Sequence, residues 1–474
     1  MNKYSRLGKN TLLVFIGNAG ARLVSLVMLP FYTRWLSVED YGVTDIINVY
    51  VSLLLGLSTV CIAEAVFLFP KGQSLERQKA YFSSGLIFAF CTLLVTAVLF
   101  RVISGIFAYR GLSNTFTDNT WTVYCLLVAT FLQQYIQQFV RSIDKMKIYS
   151  TTGVVLTVCT ALFSFVMIPR FGVFGYVSAL ILANVSAALY SLVVSGAFRY
   201  FSFKSIEKNT CIEMIRYTFP LIPNTIMWWL VGAFNRPLME YHLGMHAVGI
   251  FGVASRFSGI LSALFNIFGQ SWTISVVEEF GKEGYSYFFN KMFRLIVTGL
   301  IFLFFIITMS SKVIVSIFTT PNFYEAWRYI PVLTLGVIFS CISGLVGSNF
   351  AGARKSKYFL YTSIWVVIPS LIFNALLIPR FGILGAAIAT PLSFAVIAVV
   401  RIFYVWQYVK ITNIHHYVIM LLLCVAMMFT TLFIHRPVLK LLAVVFLFGL
   451  FFGVNYQLKE EVVKLYKRIK GIKL

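Results

Sequence analysis

The chain has 474 residues, 59% hydrophobic, 17% aromatic and only 12% charged. A soluble domain is about half apolar and about one-quarter charged, so too little polar surface remains to coat a water-soluble globule, and the apolar excess also excludes disorder. The charge is lopsided, 39 Lys and Arg against 16 Asp and Glu for a net of +23, which in so apolar a chain reads as an orientation bias across a bilayer rather than as nucleic-acid binding.

A spanning helix needs about 20 mostly apolar residues. In chain order such runs fall near 11–34, 42–69, 81–100, 121–140, 150–168, 173–198, 217–235, 247–277, 292–310, 327–350, 358–378, 383–404, 415–434 and 438–456. The expected fold is therefore an all-α integral membrane protein of about 14 transmembrane helices. The first run follows Lys3, Arg6 and Lys9, as a signal peptide would. It is long, carries Arg22 and lacks a small-residue cleavage site, so it reads as a retained helix. Pro220 and Pro223 break the start of the seventh run. No connection is long enough for a water-soluble domain.

Basic residues orient the chain. With the N-terminus inside, the inner segments hold 27 Lys and Arg, Arg401 among them, and the outer loops 10, Arg236 among them, while Arg22 and Arg256 lie within spans. That asymmetry places both termini in the cytoplasm. The basic segment 457–474 reads as a tail on the inner leaflet.

The chain repeats itself. Ile168-Pro169-Arg170-Phe171-Gly172 recurs letter for letter as Ile378-Pro379-Arg380-Phe381-Gly382, an offset of 210. Lys145 and Lys147 match Lys355 and Lys357 at that offset, and Leu36 and Gly42 match Leu243 and Gly249 at 207. Each repeat holds six spans, so both have the same orientation, as in parallel-repeat transporters. The expected organisation is a six-helix lobe over 1–210, a second over 211–412, two further helices over 413–456 and the tail. The Arg after each Pro is read as an interface anchor beside a tight Gly turn.

Polar groups at membrane depth are costly and mark wet cavities or helix contacts. Asn18, Arg22 and Ser25 share one face of the first span. Asp45, Asn48, Ser52 and Gly56 share one of the second, with Glu64 beyond. Gln133, Gln134, Gln137 and Gln138 cluster in the fourth, and Arg256, Asn266 and Gln270 form a stripe in the eighth. Two guanidinium groups between two lobes suit an anionic cargo, since their donor fork matches phosphate oxygens. The alternative for Arg22 is an intramembrane pair with Glu64 or Asp45. For the glutamines it is interhelical hydrogen bonding. The candidate substrate-binding residues are Arg22, Arg256, Asn18, Asn48, Glu64, Gln134, Gln137, Asn266 and Gln270.

Nothing enzymatic is legible: the sequence holds no Walker A loop, HExxH or GxSxG. The seven cysteines are scattered singly, without a CxxC, so neither a zinc site nor a disulfide framework is indicated. No cofactor is expected.

The segment Leu29-Pro30-x-x-Thr33-Arg34-x-Leu36-x-x-Glu39-x-Tyr41-Gly42 resembles the first-loop signature of the polysaccharide flippases, the O-antigen and exopolysaccharide repeat-unit transporters of the multidrug/oligosaccharidyl-lipid/polysaccharide exporter superfamily. Pro220-x-x-Pro223, Trp228-Trp229, Asn235-Arg236, Gly244, Val248-Gly249 and Arg256 are similar to that family's second-lobe opening. Where the family commonly has an Asp-Arg pair, this chain has Asn235. The resemblance implies a flippase, not an enzyme, moving an undecaprenyl-pyrophosphate-linked oligosaccharide across a bacterial cytoplasmic membrane for O-antigen, lipopolysaccharide or other surface-polysaccharide synthesis. It implies a cationic cavity, a proton or sodium gradient as driving force, and a polymerase and chain-length regulator as partners. The rival readings are a lipid II flippase, a drug/cation antiporter of the same superfamily and, from another class, a membrane-embedded glycosyltransferase or polymerase. The short outer loops disfavour the last.

Overall fold

A computed structural model describes residues 27–111, 114–355, 357–434 and 436–456. Asn18, Arg22, Ser25 and the tail 457–474 lie outside the described residues. Backbone polar groups in a bilayer must bond within their own segment, so an apolar chain of this length folds as helices. Among the described residues there is no strand.

The helices are α1 (Leu29–Trp35), α2 (Val38–Ser58), α3 (Ile62–Leu68), α4 (Leu75–Tyr109), α5 (Thr115–Asp118), α6 (Thr120–Ser142), α7 (Met146–Ser195), α8 (Lys208–Thr218), α9 (Leu221–Gly232), α10 (Asn235–Leu243), α11 (Met245–Glu279), α12 (Tyr285–Phe318), α13 (Ile330–Gly352), α14 (Lys357–Val405), α15 (Ile414–Phe433) and α16 (Pro437–Val454). Nine of the described helices are long and apolar enough to cross a membrane. Two of them, α7 and α14, each hold two spans. A straight 50-residue helix would be about 75 Å long, more than twice a hydrocarbon core of about 30 Å. Together with α6, the broken run α8–α10 and the first span, the plan is that of about fourteen spans.

The repeated Ile-Pro-Arg-Phe-Gly explains the two reversals. Gly172 sits at φ 53°, ψ −127° and Gly382 at φ 59°, ψ −135°, a region open essentially only to glycine. Three residues later Gly175 and Gly385 pack against the carbonyls of Met167 and Leu377, where a Cβ would collide. Eight residues along a continuous helix would be about 12 Å apart, so the chain has folded back on itself in both places.

The turns before α7 and α14 also match. Asp144 (φ 58°) and Arg354 (φ 55°) take left-handed conformations 210 residues apart. The next amides, of Lys145 and Lys355, donate to Val140 O and Phe350 O, closing each helix end in the same way.

Two expectations are corrected. The second run is not one helix: α2 and α3 are separated at Thr59–Cys61, with Val60 and Cys61 both at φ 53°. Left-handed backbone at a β-branched residue is strained, and neither Gly nor Pro stands at the break to signal it. Arg401, counted with an inner loop, is buried within α14 at 3% exposure.

The described residues form two compact units, one up to Gly249 and one from Ile250. The division falls in the first turn of α11, whereas the repeat divides the chain near 210. The broken run α8–α10 thus belongs to the second repeat by sequence and to the first unit by packing. The core of the first unit gathers Phe82, Phe131, Tyr135 and Phe139, with the Tyr135 hydroxyl donating to Phe82 O at 2.7 Å. The second unit packs α15 and α16 against α12 around Phe289, Phe304, Phe305, Met420, Cys424 and Phe451.

Replacing Gly172 or Gly382 with Ala forces a side chain into that reserved backbone region, at a cost of about 1–3 kcal/mol. We expect a lower melting midpoint in detergent for either variant. Gly105→Ala, in open space on α4, should leave the midpoint unchanged or raised.

Candidate functional site

The polar face of α2 is the site the structure assembles most completely. A capping box starts the helix: Asp40 N donates to Ser37 Oγ at 3.0 Å and Ser37 N to Asp40 Oδ2 at 3.4 Å. From there one face runs antiparallel to α9, α10 and the first turn of α11. Gly42 lies against Met245 O and Gly249 against Val38 O, each so close that a Cβ would collide. Val38 and Gly42 correspond to Met245 and Gly249 at the offset of 207, so the contact is reciprocal.

One turn further, Arg236 Nε donates to Asp45 Oδ2 at 2.8 Å, with the two side chains only 12% and 11% exposed. Arg236 Nη1 also donates to Asn235 Oδ1 at 3.2 Å and to Gly232 O at 3.4 Å. Gly232 ends α9, so this guanidinium caps a carbonyl that the break between α9 and α10 leaves outside the helical ladder. Glu240 of α10 accepts from the Tyr50 hydroxyl at 3.1 Å and from the Thr115 amide at 2.7 Å. Trp229 Nε1 donates to Val49 O at 3.0 Å. Deeper, Gly56 lets Thr225 approach, and Cys61 Sγ lies 3.8 Å from Thr225 Oγ1.

Of the expected site residues in this unit, Asn48 joins the assembly. Its Nδ2 donates to Tyr176 OH at 3.1 Å and to Thr44 O at 2.7 Å. Gln137 bridges α6 and α7: Gln133 Nε2 donates to Gln137 Oε1 at 2.7 Å, and Gln137 Nε2 to Tyr149 O at 3.0 Å. Gln134 and Glu64 are exposed. Asp45, considered as a partner of Arg22, is paired with Arg236, and Arg22 lies outside the described residues.

The sequence reading missed Arg236 and Glu240. Arg236 had been counted with an outer loop; the signal available was its place beside Asn235, in the segment resembling the second-lobe opening.

In the second unit Arg256, Asn266 and Gln270 are exposed along α11. They lie on one stripe that continues into the exposed apolar residues Ile274 and Val277. Arg401 is held apart from that stripe. Its Nε donates to Thr362 Oγ1 at 3.3 Å and its Nη1 to Ser343 O at 3.2 Å, with the guanidinium 5.3 Å from the Phe359 ring. Ser343, Phe359 and Thr362 correspond at 210 to Gln133, Tyr149 and Thr152. A buried cation therefore fills in the second repeat the space that the Gln133–Gln137 bridge fills in the first. Among the described residues no group of His, Cys, Asp and Glu converges to hold a metal.

An ion pair this buried leaves an uncompensated charge when one partner is removed, a loss on the order of 3 kcal/mol. Asp45→Asn and Arg236→Gln should each lower the melting midpoint. The double variant should lose clearly less than the sum of the two, and additive losses would show that the pair is not coupled.

Comparison with known proteins agrees with this architecture. A family model described as "Polysaccharide biosynthesis protein" matches residues 7–274, more than half of the chain. The membrane protein MJ1068 of Methanocaldococcus jannaschii is 26% identical over 67% of this chain and 68% of its own length. A second membrane protein of that organism, MJ1375, is 20% identical over 59% of this chain and 69% of its own. Among solved structures, the lipid II flippase MurJ in an inward closed conformation superposes with a TM-score of 0.71 at 13% identity, over 94% of this chain and 99% of that one. An inward-facing multidrug resistance MATE family transporter of the MOP superfamily gives 0.66 at 13% identity, over 86% and 98%. A MOP superfamily transporter from Pyrococcus furiosus, described by the reverse polarity of its binding pocket, gives 0.60 at 13% identity, over 86% and 96%. These likenesses establish the fold, and the family match establishes kinship: the chain belongs to the polysaccharide biosynthesis protein family.

Proposed function

We propose that this protein is a flippase that carries an undecaprenyl-pyrophosphate-linked oligosaccharide from the cytoplasmic to the outer leaflet by alternating access, for O-antigen or a related surface polysaccharide. The observation that carries the reading is Arg256, exposed with Asn266 and Gln270 on one stripe of the membrane-spanning α11. A guanidinium on a lipid-facing surface is strongly disfavoured, so this stripe is best understood as a water-lined path. Its cation suits a pyrophosphate and its amides suit sugar hydroxyls. Nothing in the reading calls for bond-breaking chemistry, and the oligosaccharide would be polymerised by a separate partner with its chain-length regulator. The candidate substrate contacts are Arg256, Asn266, Gln270 and Asn48, joined by Asn18 and Arg22 of the first span. The exposed Glu64 and Gln134 complete the set, and a proton or sodium gradient would drive the cycle.

A second reading, lipid II transport, is favoured by the superposition on MurJ over 94% of the chain. A drug/cation antiporter shares the fold, but an arginine stripe repels a cationic cargo.

Analysis of lipid-linked intermediates in a deletion strain separates these readings. We expect an undecaprenyl-pyrophosphate repeat unit to accumulate. Accumulated lipid II with wall lysis would favour the second reading, and unchanged pools would refute both. Arg256→Ala should reduce export of the lipid-linked sugar about tenfold at unchanged protein level, the loss of one charge-assisted contact.

The proposed site of action is the bacterial cytoplasmic membrane, with both termini cytoplasmic. Alkaline phosphatase fused to the C-terminus should accordingly be inactive, and an active fusion would reverse the orientation.

A further inference from the structure

A cavity of about 400 Å³ lies where the start of α12, the start of α15 and the end of α16 meet, lined by Arg294, Asn413, His415, His416 and Tyr456 among others. It shares no lining residue with the α2 face or the α11 stripe. Every titratable nitrogen in its wall belongs to a basic side chain. Among the described residues the charged groups that act on His416 are Arg294 and His415, with no carboxylate beside them.

Two polar atoms of the wall are left without a bond. His416 is only 9% exposed, and its Nε2 has no hydrogen-bond partner. Arg294 Nε is likewise buried and unbonded. The neighbouring Asn455 hydrogen-bonds the His416 side chain, donates from Nδ2 to Phe451 O at 2.7 Å and accepts at Oδ1 from Thr298 at 3.3 Å, yet partners neither His416 Nε2 nor Arg294 Nε. Buried donors are normally satisfied, so a pair left open beside a cavity indicates a missing acceptor.

The backbone supplies a third element. The 20-residue α15 begins at the cavity with Asn413 in the left-handed region (φ 57°, ψ 45°). It has neither a side-chain cap nor an acidic residue in its first turn. The first residues of the helix line the cavity, so its N-terminal amides and positive dipole end lie beside it. Below it, Val418, Ile419 and Leu422 are exposed on the same helix, so the cavity opens beside an apolar wall of the kind acyl chains cover.

We propose that this cavity is a phosphate-binding site at the membrane interface. Arg294, His416 and the start of α15 hold the anion, which is either the headgroup phosphate of an anionic phospholipid or free phosphate. The site does not depend on which substrate the protein transports.

The test uses the full chain in nanodiscs of phosphatidylcholine with or without phosphatidylglycerol. Lipid retained after release is counted by native mass spectrometry. In parallel, inorganic phosphate is titrated against chloride at equal ionic strength, with the melting midpoint as readout. We expect phosphatidylglycerol to be retained selectively, Arg294→Gln to weaken retention about tenfold, and Arg294→Lys to restore most of it. A saturable midpoint rise with inorganic phosphate, lost in Arg294→Gln, supports the site with free phosphate as its source. Should Arg294→Gln fail to fold, His415→Gln, at an exposed position, carries the comparison and should weaken binding in the same direction. Equal retention by wild type and variants, with no response to phosphate, overturns the proposal. None of these readouts involves transport.

Discussion

The face along which α2 meets α9, α10 and the head of α11 is the interaction on which the first unit depends. In lipid there is no hydrophobic drive between helices, so association rests on close backbone approach and interhelical hydrogen bonds. Both are present along this seam: Gly42, Gly56 and Gly249 allow the approach, and Asp45, Val49 and Tyr50 supply the polar contacts. The seam also makes the broken run possible. Two interruptions in α8–α10 leave carbonyls and amides outside any helical ladder, and such groups cannot be left bare at membrane depth. Arg236 serves both needs, pairing with Asp45 while capping Gly232 O.

Much of this was legible beforehand because it follows from composition and period. The apolar runs, the interruption at Pro220 and the repeated Pro-Arg-Phe-Gly turn each have a local cause. Arg236 was misplaced because a window of hydropathy sees a charge and calls it a loop; its partner lies 191 positions earlier in the chain. Arg401 lies inside the apolar run 383–404, and the count of basic residues still assigned it to the inner loop that follows; in the structure Ser343 and Thr362 hold it within the bundle. The break at Val60–Cys61 gave no signal, since a valine with positive φ is imposed by packing and not by preference. On the other helices, the stripe of Arg256, Asn266 and Gln270 needed only the helical period to be found. Whether Gln137 faced a neighbour or a cargo could not be read from spacing; the structure gives it Gln133 and Tyr149 as partners.

The two repeats show how one packing problem admits two answers. The first closes the space between α6 and α7 with a pair of neutral amides. The second opens that space by placing Ser343 and Gly347 at the matching positions, and fills it with Arg401 reaching across from the far arm of its hairpin. The arginine brings a charge that its surroundings must solvate, here through a hydroxyl, a carbonyl and the face of Phe359. The neutral version carries no such demand. One side chain thereby ties α13 to both arms of the α14 hairpin.

The reversals at Gly172 and Gly382 also carry a record of ancestry. If the two halves descend from one duplicated gene, most positions have since drifted apart, because many side chains can fill a given volume in lipid. Drift stops where the backbone accepts a single residue. A turn at φ near +55° with a helix returning against a bare carbonyl has one solution at each of its two glycines. Five consecutive letters have therefore stayed in step across 210 positions while the flanking Gln and Arg networks diverged. What the chain repeats letter for letter is a hairpin bend.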